Sequence, residues 1–84
     1  MKLVYFAWIR ERIGHGEEEV TLPGDVTTIA GLLDWLKSRG EEYASALEHD
    51  SIVRVAINHE HVADRSTPIE GAREIALFPP MTGG

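Results

Sequence analysis

The 84-residue sequence contains no cysteine. That excludes a disulfide framework, a cysteine nucleophile and any zinc site built on thiolates. Basic charge is scarce: Lys and Arg number 8 against 14 Asp and Glu, a formal net charge of −6. Nucleic acid and anionic membranes are both held by a Lys/Arg field, so neither is expected as a partner. No apolar run approaches the roughly 18–20 residues of a membrane span. The stretch from Leu3 to Ile9 is too short and wrongly flanked for a secretory signal, so a cytoplasmic location is expected. Repeats, linkers and low-complexity segments are absent. At this length a single domain is expected. It buries only about 60–65% of its unfolded surface, which leaves little area for a deep active site. A carrier or partner role suits such a chain better.

What is present reads as a small α+β fold. Leu3 to Trp8 predicts a strand, with Leu3, Tyr5 and Ala7 on one face and Val4, Phe6 and Trp8 on the other. Large residues on both faces mark a strand that is central in its sheet or covered twice. Ile9–Ile13 reads as one or two helical turns ended by Gly14 and Gly16. Val20-Thr21-Leu22 has strand propensity and is stopped by Pro23-Gly24. The main helix follows, with Thr27 or Thr28 as N-cap and Asp25 near its positive end. Ile29, Leu32, Leu33 and Leu36 fall at i, i+3, i+4 and i+7, an apolar stripe facing a sheet. Trp35 lies at the stripe's edge as partly buried core, and Gly40 is a natural stop. Glu41 to His49 reads as a short second helix carrying Tyr43, Ala44, Ala46 and Leu47.

Ile52–Ile57 predicts a strand, with Asn58 opening a turn that tolerates left-handed geometry. His59 to Val62 returns as a brief strand, and Glu74 to Phe78 forms the last. One main helix on one face of a mixed sheet of about five strands is an α+β architecture, and the β-grasp (ubiquitin-like) arrangement fits this order. Residues 1–78 are then the domain, and 79–84 an extended, flexible tail.

Candidate chemistry in the body is thin. His59 and His61, two apart on a strand-like segment, point to one face, with Glu60 and Asp64 nearby. A zinc site needs three or four ligands with outer support, and nothing supplies the rest, so no metal is expected. His15 and His49 read as solvated positions. Ser38, Ser45, Ser51 and Ser66 lack a nucleophile elbow or a paired base. Glu17-Glu18-Glu19 reads as an exposed strand or loop rim.

The C-terminus differs. From Ile75 to Gly84 no side chain is charged. Pro79-Pro80 favours a stiff extended exit, and six extended residues reach about 20 Å. Glycines without Cβ atoms thread a narrow channel and present a terminal carboxylate unhindered.

Val4-Tyr-Phe-Ala-Trp-Ile-Arg-Glu11, the helix after Thr27-Thr28, Val55-Ala-Ile-Asn58 and Glu74-Ile-Ala-Leu-Phe-Pro-Pro-Met-Thr-Gly-Gly84 together carry a resemblance that spans essentially the whole chain. The sequence resembles the small subunits of molybdopterin synthase, which are ubiquitin-like sulfur carriers. The Phe-Pro-Pro-x-Thr-Gly-Gly ending is its most specific part. After Asn58 this chain has His59-Glu60, where the family often has a small residue or glycine.

The resemblance implies that an E1-like adenylating enzyme uses ATP to convert the Gly84 carboxylate to an acyl-adenylate. A persulfide donor then leaves a thiocarboxylate at Gly84, next to Gly83. That sulfur attacks a cyclic pyranopterin precursor held by the large synthase subunit, and two transfers build the dithiolene. The working enzyme is expected as a heterotetramer of two small and two large subunits. The large subunit holds the catalytic pocket; this chain is the sulfur-donating, non-catalytic subunit and binds no cofactor itself. A leaving group on a poor acyl donor splits one hard step into two.

The expected docking residues are Phe78, as an aromatic anchor at the tail's root, then Pro79, Pro80, Met81 and Thr82, with Phe6 and Arg10 by similarity of the opening motif. Phe6 reads equally as core packing, and Arg10 as a surface ion pair with Glu11 or a neighbour. Two rivals remain. One is a carrier for thiazole or another acceptor. The other is a ubiquitin-like modifier joined through Gly84, for which Lys2 and Lys37 would be the only acceptor lysines in a self-polymer.

Overall fold

The computed structural model of the chain describes residues 1–80. The first strand, β1, spans Lys2–Tyr5. It stops three residues short of the expected end because the backbone turns at Ala7, where φ is +52°, into α1 (Ala7–Ile13). Trp8 therefore lies on a helix. Ile9 and Ile13, four apart, bury the same helical face. Gly14, at φ +101°, takes the left-handed conformation that closes α1, its N–H donating to the Arg10 carbonyl at 2.9 Å.

The second strand, β2, is Glu17–Glu19 rather than Val20–Leu22. It pairs antiparallel with β1 in the register Lys2↔Glu19, Leu3↔Glu18, Val4↔Glu17. Val20 follows the strand as a core residue. β2 is an edge strand, and its run of like charges resists pairing by another chain.

The longest helix, α2, spans Ile29–Lys37. Thr28 is its N-cap, and the Thr28 hydroxyl accepts the Gly31 N–H at 3.1 Å, a cap that contributes about 1 kcal/mol. All four stripe residues are at most 2% exposed. The helix ends before Gly40: Ser38 closes its last turn through its own N–H, and Gly40 instead precedes α3 (Glu41–Ala46). A single turn of 3₁₀ helix, Asp50–Ile52, leads into β3 (Arg54–Ile57), so this strand starts two residues later than expected.

Asn58 and His59 sit at φ +49° and +74°, the two-residue hairpin turn that suits the twist of the strands. Asn58 secures it, because its side-chain oxygen accepts the N–H groups of Arg73 and Glu74 at 2.9 and 3.1 Å. β4 (Glu60–Val62) returns beside β3, and β5 (Glu74–Phe78) matches its expected bounds.

The sheet order is β2-β1-β5-β3-β4, with β1 and β5 parallel and the other pairs antiparallel. This is the β-grasp arrangement. The main helix and the two shorter ones that the sequence also indicated, at Ile9–Ile13 and Glu41–His49, all form and bury apolar residues in one core. That core joins Leu3, Tyr5, Ile75, Leu77 and Val55 of the sheet to Ile9, Leu32, Leu36 and Leu47. Residues alternate across each strand, so Val4, Ala76, Phe78, Arg54, Ala56 and His61 share the opposite face. Among the described residues no helix covers that face, and none is long and apolar enough to cross a membrane.

Candidate functional site

The parallel pairing of β1 and β5 brings their C-terminal ends to one edge, with Tyr5 opposite Leu77. The Phe6 N–H extends this ladder by donating to the Leu77 carbonyl at 3.1 Å. Residues 72 apart in sequence, Tyr5 and Leu77, therefore end their strands side by side. Phe6 is 49% exposed, so the core-packing reading of this residue is set aside. The left-handed Ala7 turns the chain just beyond it and leaves the ring outside.

Arg10 lies one helical turn later, its N–H on the Phe6 carbonyl at 3.3 Å. Its guanidinium packs over Gly16, where a Cβ would come within 3.1 Å of Nε. Among the described residues Arg10 forms no ion pair within 4.0 Å, with Glu11 or any other carboxylate. It lies on the rim of a groove of about 410 Å³ lined by Val4, Tyr5, Phe6, Arg10, Gly16 and Glu17.

Phe78 closes β5 half-buried on the open face. Arg54 is its partner across the ladder, and the His61 ring lies 6.2 Å from it between centroids. Pro79 and Pro80 follow, partly buried. Neither has an N–H to extend the ladder, so the sheet ends where the chain leaves it. Met81, Thr82, Gly83 and Gly84 lie outside the described residues. Phe6 and Phe78 thus follow the paired residues Tyr5 and Leu77 at the C-terminal ends of β1 and β5, with Arg10 one helical turn beyond Phe6 and Arg54 opposite Phe78, where Pro79 leaves the sheet.

Behind this edge lies a polar cluster that sequence reasoning missed. Glu18 points inward from β2, where Glu17 and Glu19 point out. Its Oε2 accepts the hydroxyls of Tyr5 and Tyr43, both at 2.7 Å, and lies 3.1 Å from His15 Nε2. Its Oε1 accepts Arg39 at 2.8 Å. Burial pushes the carboxyl up, but the bonds from Tyr43, Tyr5, Arg39 and His15 outweigh it and hold the group down at about 2. Burial and the Glu18 charge push the Tyr43 hydroxyl up to about 12. Arg39 also lies 5.0 and 4.9 Å from the ring centres of Trp35 and Tyr43. The one available signal was the alternation that puts Glu18 on the same face as Val20.

His59 and His61 do not converge on a common point. His59 reaches Glu74 at 3.5 Å, whereas His61 lies on Phe78, four residues further along β5 and so about 13 Å away. Among the described residues no three His, Asp or Glu groups are placed to hold a metal ion. A larger groove of about 570 Å³, lined by Met1, Val20, Leu22, Ile69 and Ala72 among others, opens at the start of β1 and β5, at the other end of these strands from Phe6 and Phe78.

A sequence model described as the ThiS family matches residues 3–84. The chain belongs to the ThiS family. It is 33% identical over 84 residues to the molybdopterin synthase sulfur carrier subunit of Escherichia coli, covering 100% of this chain and 99% of that one. SAMP1 from Haloferax volcanii superposes with a TM-score of 0.72 at 28% identity, over 100% and 98% of the two chains. A second structure, of small archaeal modifier protein 1 of the same species, gives 0.64 at 29% identity over 95% of each.

Proposed function

We propose that this ThiS-family chain is the sulfur carrier subunit of a molybdopterin synthase and delivers sulfur from the C-terminal carbon of Gly84. The supporting observation is that Phe6 and Phe78 stand at the C-terminal ends of the paired strands β1 and β5, with Arg10 one helical turn from Phe6, where the Pro79-Pro80 segment leaves the sheet, in a chain related along its whole length to subunits of that name. A partner that receives the tail must pass beside these side chains.

In this reading a Gly84 carboxylate oxygen attacks the α-phosphate of ATP on an E1-like enzyme, and pyrophosphate leaves. The outer sulfur of a persulfide donor then attacks the acyl carbon, and AMP departs with one carboxylate oxygen. A partner thiol cleaves the acyl disulfide, leaving the thiocarboxylate on this chain and a disulfide on the partner. The large synthase subunit takes the loaded tail together with a pyranopterin substrate. Glycines at 83 and 84 place no side chain between the acyl carbon and these partners.

The test is the intact mass of the chain after incubation with an activating enzyme, ATP and a persulfide donor. A gain equal to the difference between sulfur and oxygen, located at residue 84, is the expected result. An unchanged mass under conditions that load a control carrier overturns the proposal. Isopeptide adducts to lysines of other proteins would instead favour a modifier, the reading that the likeness to small archaeal modifier protein 1 invites.

A further inference from the structure

Gly14 and Gly16 are both expected from the sequence to end α1, but the fold uses them differently. Gly14 takes a positive φ of +101°, and a Cβ placed on it would meet nothing within 4 Å. Gly16 is the reverse. Its φ lies outside the left-handed region, so its backbone does not call for glycine. What a side chain there would meet is Arg10: an added Cβ comes to 3.1 Å from Nε, 3.3 Å from Cζ and 3.4 Å from Cδ. Three consecutive atoms of the arginine therefore cross the open side of Gly16. Space for a guanidinium, and not conformational freedom, accounts for this glycine.

Backbone contacts hold both members of this pair. The Gly16 carbonyl accepts the Tyr5 N–H at 2.8 Å, which fixes the start of β2 to the end of β1. The Arg10 N–H donates to the Phe6 carbonyl at 3.3 Å, and the Arg10 carbonyl accepts the Gly14 N–H at 2.9 Å. Arg10, Phe6 and Gly16 line one groove with Val4, Tyr5 and Glu17. Arg10 and Glu17 are the charged residues of that lining, and Glu17 Oε2 lies 3.1 Å from Lys2 Nζ. The groove stands where the chain departs: the Phe6 N–H is on the Leu77 carbonyl, two residues before Pro79.

We propose that Gly16 is a positioning residue for adenylation of the tail, acting through Arg10, on the carrier reading given above. Having no side chain, it seats Arg10 across the start of β2 and fixes the guanidinium on the groove beside Phe6. There the planar fork pairs in bidentate fashion with a carboxylate of the E1-like enzyme. The occupant follows from the place of the groove. The body must be held against the activating enzyme while six residues, about 20 Å when extended, carry the Gly84 carboxylate to the α-phosphate of ATP. A side chain at position 16 pushes Arg10 off its seat. The fork must then be ordered during docking, so the enzyme holds the body more weakly while the chemical step is untouched.

The experiment is the rate of thiocarboxylate formation on the full chain, read as intact-mass gain at varied chain concentration. It uses the activating enzyme of the same organism, ATP and a persulfide donor. Gly16→Val should raise KM about tenfold, leave kcat within about twofold and melt near the native temperature; Gly16→Ala should raise KM about threefold. Gly24→Ala is the control: a Cβ there meets nothing within 4 Å, and KM should stay native. Arg10→Ala should raise KM about tenfold, and adding Gly16→Val to it should change nothing further, because the glycine acts through the arginine. A folded Gly16 variant with the native KM overturns the proposal, as does a further rise in the double variant or a fall in kcat at unchanged KM. A second readout needs no partner: the Arg10 Hε and Gly16 Hα protons of the free chain should show a nuclear Overhauser contact, and its absence overturns the seat. Failure of the native chain to gain mass overturns the carrier reading and this role together. A native chain that loads with a KM insensitive to position 16 overturns the role alone.

Discussion

The Tyr5 hydroxyl donates to Glu18 Oε2 at 2.7 Å, joining the buried end of β1 to the middle of an edge strand. Tyr43 of α3 and Arg39 beyond α2 donate to the same carboxylate, so one charge ties three segments to β2. Its folded value of about 2 lies below the ordinary 4.5. A depressed carboxyl stabilises the fold fully above its unfolded value, and that contribution is lost as the pH falls toward the folded one. Glu18→Gln should cost about 1.5–3 kcal/mol at neutral pH. Thermal melts of native and variant chains should show a constant gap above about pH 4.5 that closes towards pH 2.

Phe6 and Phe78 should separate docking from folding. Phe6 is half exposed, and removing such a ring changes stability by no more than about 0.5 kcal/mol. Phe6→Ala should nonetheless weaken binding to the large synthase subunit by about 2 kcal/mol, as an anchor at the centre of an interface does. Phe78→Ala should weaken binding and also lower the melting temperature, because that ring packs on the sheet. Binding measurements and melts on the two variants distinguish these patterns.

Ala7 holds φ +52° immediately after Phe6. An alanine in the left-handed region costs about 1–2 kcal/mol, and glycine removes that cost while gaining about 0.4–1 kcal/mol of unfolded-state freedom. Ala7→Gly should therefore raise stability by about 0.5–1 kcal/mol, read from urea unfolding. Destabilisation by this change would mean that the alanine methyl supports the turn.

Glu18, Ala7 and the pair Phe6 and Phe78 also mark the limits of reading the sequence. The stripe Ile29, Leu32, Leu33, Leu36 and the run Glu74–Phe78 were legible because period and burial agree along each element. Glu18 was not: three identical glutamates show no contrast between faces, and two tyrosine hydroxyls from distant segments make the inward carboxylate tolerable. The early end of β1 was hidden because Phe6, Ala7 and Trp8 carry nothing that marks a left-handed turn. Phe6 and Phe78 were both named as docking residues. Their shared edge, however, depends on parallel pairing between the two ends of the chain, which local pattern does not encode.

The absence of cysteine would make the proposed loaded form chemically unique. A thiocarboxylate would be its only strongly nucleophilic sulfur, since the remaining sulfur atoms belong to the two methionines. After treatment with the activating enzyme, ATP and a persulfide donor, iodoacetamide should modify the native chain once, at residue 84, and leave the untreated chain unmodified. Deleting Gly84, or extending the chain by one residue, should abolish that adduct, because the acyl carbon is then misplaced in the activating site. Among the described residues the last core side chain is Leu77, so both changes should alter unfolding free energy by less than about 0.5 kcal/mol. An adduct that persists in either variant, or that maps to another residue, would place the sulfur elsewhere.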